Sequence, residues 1–208
     1  MKIFNKIINP RLAKSASGFM KIVCYIIICF YILCLILSFM GRQIFFLHSA
    51  DGTFPHAIYA EENHDPQFRT FTVSSTDDIH VWTNENNQID LKAQLGISCM
   101  YAVNLVPMAF AYLFLSRVFS NVSKGEIFSE KNAVYLLYFG LIQFLVALLS
   151  PFIKLLICNI INVISSSRIS IATGSGMIND MIPSIAFIVA AYIIHHGIAL
   201  QDEVDHTL

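Results

Sequence analysis

Residues 132–153 read NAVYLLYFGLIQFLVALLSPFI and contain no charged side chain. Three other stretches of the 208-residue chain are equally free of charge, with the bounds 22–41, 93–116 and 181–201. A helix of about 20 apolar residues is long enough to cross the hydrocarbon core of a bilayer. The sequence therefore predicts an all-α polytopic membrane protein with four transmembrane helices.

The composition supports the same fold class. Of all residues, 56% are hydrophobic and 13% are charged, whereas a soluble domain carries about 25% charged residues. This composition excludes a soluble globular enzyme, a nucleic-acid-binding domain and a secreted disulfide scaffold. The lipid bilayer is the partner that it implies, and no direct contact with nucleic acid is expected.

The distribution of charge predicts the orientation of the spans. The first 21 residues hold five basic residues and no acid, and residues 42–94 hold three basic residues against eight acids. Since basic residues in short loops stay on the cytoplasmic side, we expect both termini inside the cell and the 42–94 segment outside. The first apolar run is longer than the core of a signal peptide and lacks a small-residue cleavage site, so we expect it to remain as a helix.

The predicted boundaries follow from these patterns. The order is a basic cytoplasmic segment (1–18), transmembrane helix 1 (19–40), an extracytoplasmic segment (41–94), transmembrane helix 2 (95–118), a cytoplasmic loop (119–131), transmembrane helix 3 (132–157, with an extension to about 164), an extracytoplasmic loop (158–180), transmembrane helix 4 (181–200) and a cytoplasmic tail (201–208).

The long extracytoplasmic segment contains a strand-like alternation. Phe71 and Val73 alternate with threonines, and Ile79 and Val81 flank His80. The Ser-Ser-Thr-Asp-Asp stretch between them is typical of a turn, so the pattern predicts a small β-hairpin. A lone hairpin is marginally stable in water, and we expect this one to lean on the membrane or on a partner.

Three polar residues within the predicted spans are candidates for a role inside the membrane: Asn104, Gln143 and Lys154. Asn104 lies about one turn before Pro107, where its amide can bond the carbonyl that the proline leaves free. Lys154 lies near the outer end of the third span, and we expect its ammonium to snorkel to the headgroups. Such residues serve either to hold helices together or to line a substrate pathway.

The sequence offers no pattern for catalysis or for a cofactor. The five cysteines include no CxxC pair, and the spacing of the seven histidines matches no zinc or haem motif. No phosphate-binding loop and no nucleophile elbow is present. We therefore expect no enzymatic activity, no catalytic residue, no metal and no cofactor.

The cytoplasmic loop has the most specific local pattern in the chain. Gly125 suits the left-handed turn that ends a helix. Ser129 suits the N-cap of the next helix, with Glu130 in its first turn. We expect Phe128, which directly precedes this cap, to pack against the start of that helix.

Two short patterns on the predicted cytoplasmic side resemble a known family. The first comprises Arg117, Lys124, Gly125, Phe128 and Asn132, and the second comprises Gly197, Leu200, Gln201, Glu203 and Asp205. They resemble the signature and the ending of the bacterial membrane family called domain of unknown function 2975, over roughly residues 95–208. The resemblance implies a four-helix inner-membrane protein of no established activity. Members of that family are often encoded beside a small helix-turn-helix regulator, which implies a cytoplasmic regulator as the partner.

The leading hypothesis is a non-enzymatic membrane protein that engages a cytoplasmic partner through its inner loop and tail, while the outer segment binds or senses something at the surface. The alternatives are a small transporter, an immunity protein against membrane-active peptides, and a structural subunit of a membrane complex. The glycine, the cap and the aromatic side chain of the loop also have a purely structural explanation. The candidates for partner interaction are Arg117, Lys124, Gly125, Phe128, Asn132, Gly197, Leu200 and Glu203.

Overall fold

The computed structural model of the chain describes residues 10–49, 52–57, 73, 77–84, 88–172 and 177–207. Within these residues the fold is mostly helical and contains one small sheet. The helices are α1 (Pro10–Phe39), α2 (Leu91–Lys124), α3 (Glu130–Ile164) and α4 (Met177–Thr207). The strands are β1 (Ile44–Ser49), β2 (Gly52–Ala57), β3 (Asp78–Trp82) and β4 (Arg168–Ala172).

All four helices are long and apolar enough to cross a membrane, which confirms the predicted number. Only 11–28% of the residues in their most apolar windows are buried inside the protein. A water-soluble fold would cover these side chains, because burying one large aliphatic or aromatic side chain contributes about 1.5–3 kcal/mol. An apolar surface of this extent is therefore suited to contact with lipid.

The sheet is mixed and has the strand order β2-β1-β3-β4. β1 and β2 form an antiparallel hairpin, β1 and β3 run parallel, and β3 and β4 run antiparallel. The chain thus contains more β-structure than the predicted all-α fold with one hairpin. The strands come from the connections on both sides of the α2–α3 pair, so the sheet joins segments that are far apart in sequence.

The predicted hairpin is placed wrongly. Val73 forms a parallel bridge with Gln43, and Ile79 and Val81 belong to β3, which pairs with β1 and β4. The hairpin of this segment is instead β1–β2, and residues 71, 72 and 74–76 lie outside the described residues. Alternation reveals which residues suit a strand, but it does not reveal which strand is the neighbour.

Contacts divide the chain into two compact units. Residues 31–106 and 146–177 form one, here called the sheet unit, and residues 1–30, 107–145 and 178–208 form the other, here called the loop unit.

The core of the sheet unit lies between one face of the sheet and the helices. Phe45, Val81 and Ile169 come from three neighbouring strands and belong to one buried cluster with Ile97 of α2 and Ile161 of α3. Gly96 allows the close approach of α2 and α3, because a Cβ atom there would lie 1.7 Å from Cδ1 of Ile161. The opposite face of the sheet remains outside this core.

The loop unit packs around Phe139 of α3, which is 2% exposed. Its ring meets Tyr112 of α2 and Phe187 of α4 edge to face, with centroids 5.7 and 4.7 Å apart. Such edge contacts match the positive rim of one ring to the negative face of another. A Cβ atom at Gly140 would lie 2.9 Å from the carbonyl oxygen of Ser184, so glycine is what lets α3 and α4 approach here.

Candidate functional site

Four rings lie together on the face of the sheet opposite the core. Side chains alternate between the two faces along a strand. β1 and β3 thereby place Phe46, His48, His80 and Trp82 on one face, with Thr53 of β2 beside them. We call these five side chains the ring face. Phe46 is 38% and Trp82 39% exposed, so the face is open to its surroundings.

The rings of this face are stacked in two pairs. His48 lies on Trp82 with centroids 4.5 Å apart and planes 10° apart, and Phe46 lies on His80 at 5.1 Å and 21°. The two pairs meet at the imidazoles, where His48 Nε2 lies 2.9 Å from His80 Nδ1. Thr53 Oγ1 lies 2.9 Å from the other nitrogen of His48. The arrangement places two nitrogen atoms side by side between aromatic rings.

Sequence reasoning missed the ring face. His48 and His80 are 32 residues apart, and no spacing rule for metal or haem sites joins them. They become neighbours because β1 and β3 pair in parallel with Phe46 opposite His80 and His48 opposite Trp82. The available signal was the alternation His80-Val81-Trp82, which indicated a strand without indicating its partner.

Lys154 departs from its predicted role. Its side chain is 4% exposed and donates a hydrogen bond to Asp77 Oδ2 at 2.5 Å. The ammonium therefore does not reach outward but forms a buried ion pair with the residue next to β3. An isolated buried charge is expensive, and the partner of opposite charge offsets part of this cost.

Asp90 ties the start of α2 to the turn before β4. Its carboxylate accepts hydrogen bonds from the backbone N–H of Lys92 and of Ser166, both at 3.2 Å, and from the Ser165 hydroxyl at 3.0 Å. The N–H of Lys92 first, and then that of Ser166, hold the pKa of the Asp90 carboxyl below its ordinary value. Asp90 acts as an N-cap that also anchors a strand.

The buried side-chain amide of Gln43, which lies between α1 and β1, links α1 to α2. Gln43 is fully buried, and its Nε2 lies 2.8 and 2.7 Å from the hydroxyl oxygens of Ser38 and Ser98. The Ser98 hydroxyl in turn donates to the Ser38 carbonyl at 2.9 Å. Gln43 Oε1 accepts no hydrogen bond from the described residues. Polar contacts thus accompany apolar packing where the sheet meets the helices.

The two other polar residues of the predicted spans are half-buried. Asn104 Oδ1 is buried and accepts no hydrogen bond in the described part of the chain. The predicted bond from the Asn104 amide to the carbonyl freed by Pro107 is not among the side-chain hydrogen bonds found there. Gln143 lies in the middle of α3. Neither residue is joined to Lys154, whose partner is Asp77.

The connection between α2 and α3, residues 125–129, has a backbone that is held by hydrogen bonds at both of its ends. Gly125 has φ of 100°, and the N–H groups of Gly125 and Glu126 donate to the carbonyls of Val122 and Asn121. This pair of bonds is the Schellman motif that ends a helix. The Ser129 carbonyl and hydroxyl accept from the N–H of Asn132, as expected for the predicted N-cap.

Asn132 holds the connection together from inside. It is 1% exposed, and its Nδ2 donates to the carbonyls of Glu126 and Ile127 at 2.6 and 3.1 Å. Its Oδ1 accepts from Asn121 Nδ2 at 2.8 Å. The amide thus satisfies carbonyls that the turn leaves without helical partners. Gly125 and Asn132, both candidates for partner interaction, have clear structural roles.

Phe128 does not pack on the start of α3 as predicted. It is 65% exposed, and its neighbour Ile127 is 47% exposed. The start of α3 is held instead by polar hydrogen bonds of Ser129 and Asn132. Two large apolar side chains therefore project from a connection whose backbone is held by hydrogen bonds.

The remaining candidates are on helix surfaces. Arg117 and Lys124 are exposed on α2, and Gly197 and Leu200 are exposed on α4. A Cβ atom at Gly197 would meet nothing within 4 Å, so no close packing requires this glycine. Glu203 lies in α4, and its side chain is outside the described residues.

Comparison with protein-family models, with curated proteins and with solved structures finds no match to this chain. The resemblance to the family called domain of unknown function 2975 therefore stays a prediction from short motifs.

Proposed function

We propose that the chain is a non-enzymatic, multi-pass protein of a bacterial cell (inner) membrane that engages a cytoplasmic regulator. In this proposal both termini and the α2–α3 connection are cytoplasmic, and the sheet is extracytoplasmic. The ring face binds a ligand outside the cell, while the connection and the end of α4 meet the partner inside. The positive-inside pattern of Arg117, Lys124 and Lys131 supports this orientation.

The exposure of Ile127 and Phe128 carries the proposal. Exposed large apolar side chains on a helix surface are suited to lipid, but these two lie in a turn beside the charged residues Lys124, Glu126 and Glu130. A turn with this many charges belongs in water, where exposed apolar side chains mark contact sites. Aromatic residues anchor many interfaces because they bury a large area with few rotatable bonds.

The rigidity of the connection adds to this argument. The Schellman turn at Gly125 and the three hydrogen bonds of Asn132 determine the path of the backbone on both sides of Phe128. A preorganised surface loses less entropy when it binds than a flexible one does. The connection is therefore suited to presenting two apolar side chains to a protein partner.

Transcript profiling of a deletion strain tests the proposal. The strain is complemented with the wild-type chain, with Phe128→Ala, or with the control Leu141→Ala, each at equal protein level. Leu141 is also exposed, at 37%, but lies in the middle of the apolar α3. We expect deletion to change a small set of genes, and we expect the wild type and Leu141→Ala, but not Phe128→Ala, to restore them.

Full restoration by Phe128→Ala would show that the connection does not transmit a signal. An unchanged profile on deletion would contradict the regulatory role itself. Because Phe128 is largely exposed, its truncation should leave folding intact, and equal migration of the three proteins on a native gel checks this.

A second candidate function, a small transporter or an immunity protein against membrane-active peptides, is favoured by Asn104. Its buried Oδ1 accepts no hydrogen bond from the described residues, and a buried acceptor of this kind is suited to a ligand or to water. This function predicts altered sensitivity to solutes or peptides in the deletion strain without a change in gene expression.

A further inference from the structure

We propose that the ring face is a binding site for a divalent first-row transition-metal ion, with Cu²⁺ preferred, and that His48 Nε2 and His80 Nδ1 hold the ion. The proposal deepens the proposed function, since it names the class of ligand that the extracytoplasmic face takes. Imidazole nitrogens are common ligands of first-row transition metals. These two nitrogen atoms lie 2.9 Å apart on an open surface, although they come from different strands.

The separation of the nitrogen atoms allows both to bind one ion. They lie 2.9 Å apart, and metal–nitrogen bonds are about 2.05 Å long, so a single ion can reach both. Imidazole nitrogens suit Zn²⁺, Cu²⁺, Fe²⁺ and Ni²⁺, and Cu²⁺ binds most tightly in the first-row series.

Thr53 orients the imidazole of His48, one of the two ligands. Its hydroxyl lies 2.9 Å from His48 Nδ1. The tautomer that donates Nδ1–H to this hydroxyl leaves the Nε2 lone pair facing His80, as in many metal sites where a second hydrogen bond orients the ligating ring. In that tautomer, and without metal, His48 Nε2 accepts a hydrogen bond from His80 Nδ1–H. On binding, the His80 proton moves to Nε2, so both imidazoles coordinate as neutral ligands and no net proton is lost.

The surroundings leave room for further ligands. The strand register places Asp78 of β3 and Arg168 of β4 on the same face of the sheet as the two histidines, and the charges of these two residues are opposite. Among the described residues no group of three or more His, Cys, Asp or Glu side chains is placed to hold one metal ion. In this proposal water fills the other positions around the ion. An open coordination sphere is suited to sensing or binding an ion at the surface, and no redox step is implied.

Trp82 provides a direct readout. It is the one tryptophan of the chain, and its ring lies 4.5 Å from that of His48. Cu²⁺ bound to His48 would therefore quench the entire tryptophan fluorescence of the protein. The experiment is a titration of the purified full-length chain in detergent with Cu²⁺ alone, after purification through a tag without histidine.

We expect saturable quenching at one equivalent of Cu²⁺ in the wild type and in the control His195→Gln, which changes an exposed histidine of α4. His48→Gln and His80→Gln should each abolish saturable quenching. Thr53→Val retains both ligands and should weaken binding by about tenfold or more. Electron paramagnetic resonance of the wild-type complex should show two coordinated nitrogen atoms.

Equal quenching in the wild type and in His80→Gln would overturn the proposal, and so would a resonance spectrum without coordinated nitrogen. The spectrum tests the wild type alone, so the proposal stays testable even where a histidine variant folds poorly. A failure here leaves the Phe128 experiment unaffected, because that experiment measures gene expression through the other unit of the chain.

Discussion

Lys154 and Asp77 are 77 residues apart in the chain, and their side chains are only 4% and 10% exposed. Lys154 was recognisable in the sequence as the one charge in an apolar run, but its partner was not, because no local pattern connects α3 to the residue before β3. The same limit applies to His48 and His80. Local roles such as the Gly125 turn and the Ser129 cap were predictable, since their partners lie within a few residues.

At the scale of single residues, we predict that replacing one residue of the Lys154–Asp77 ion pair destabilises the protein more than replacing both. Asp77→Leu alone should lower the free energy of unfolding by about 3–5 kcal/mol, because it leaves the Lys154 ammonium buried without its ion-pair partner. Lys154→Met alone should also lower it, because the same ion pair is lost. The double variant Lys154→Met/Asp77→Leu should regain most of the loss. Thermal unfolding in detergent measures the effect, with the exposed Lys131→Met as a control that stays within about 0.5 kcal/mol of the wild type. Additive losses in the double variant would contradict the pairing.

At the scale of elements, the helices were predictable because each contains an uninterrupted apolar run, whereas the sheet was not. The observed helices extend beyond the apolar runs, for example to Lys124 in α2, because hydropathy marks only the apolar part of a helix. Ile169 and Ile171 of β4 alternate with Ser170, but the flanking serines and glycines suggested a loop. Strand pairing between Phe46 and His80, or between Asp78 and Ala172, depends on the whole chain.

The stability of a variant that replaces a helical glycine by alanine should depend on which atoms the added Cβ atom contacts. We predict that Gly140→Ala costs about 1–3 kcal/mol, because backbone atoms of α4 lie 2.9–3.0 Å from the new atom. Gly96→Ala meets only the flexible end of Ile161, so the additional change Ile161→Ala should relieve much of its strain. Gly18→Ala meets nothing within 4 Å and should be neutral or gain up to about 1 kcal/mol. Unfolding in detergent ranks the variants, and an equal loss in Gly18→Ala and Gly140→Ala would refute the packing argument.

At the scale of the whole molecule, the sheet restricts how the chain can cross a membrane. β1 and β3 precede α2, and β4 follows α3. Since these strands pair, the connections before α2 and after α3 must lie on the same side of any membrane that the helices cross. The even number of helices between them, α2 and α3, satisfies this requirement.

Reporter insertions determine which side that is. We predict that a reporter at residue 85 is active outside the cell and that one at residue 124 is active inside, because basic residues surround the second position and acids surround the first. A fusion after residue 208 serves as the control and should agree with residue 124. The reverse pattern would place the ring face in the cytoplasm.

The position of β4 also determines the order in which a growing chain acquires its structure. One edge of β3 pairs with β1, which is synthesised before it. The other edge pairs with β4, residues 168–172, which leave the ribosome only after all of α3. An unpaired strand edge is a template for pairing with other chains. A nascent chain that pauses or ends before residue 172 therefore carries an open edge beside the ring face, and the arrival of five late residues is what closes it.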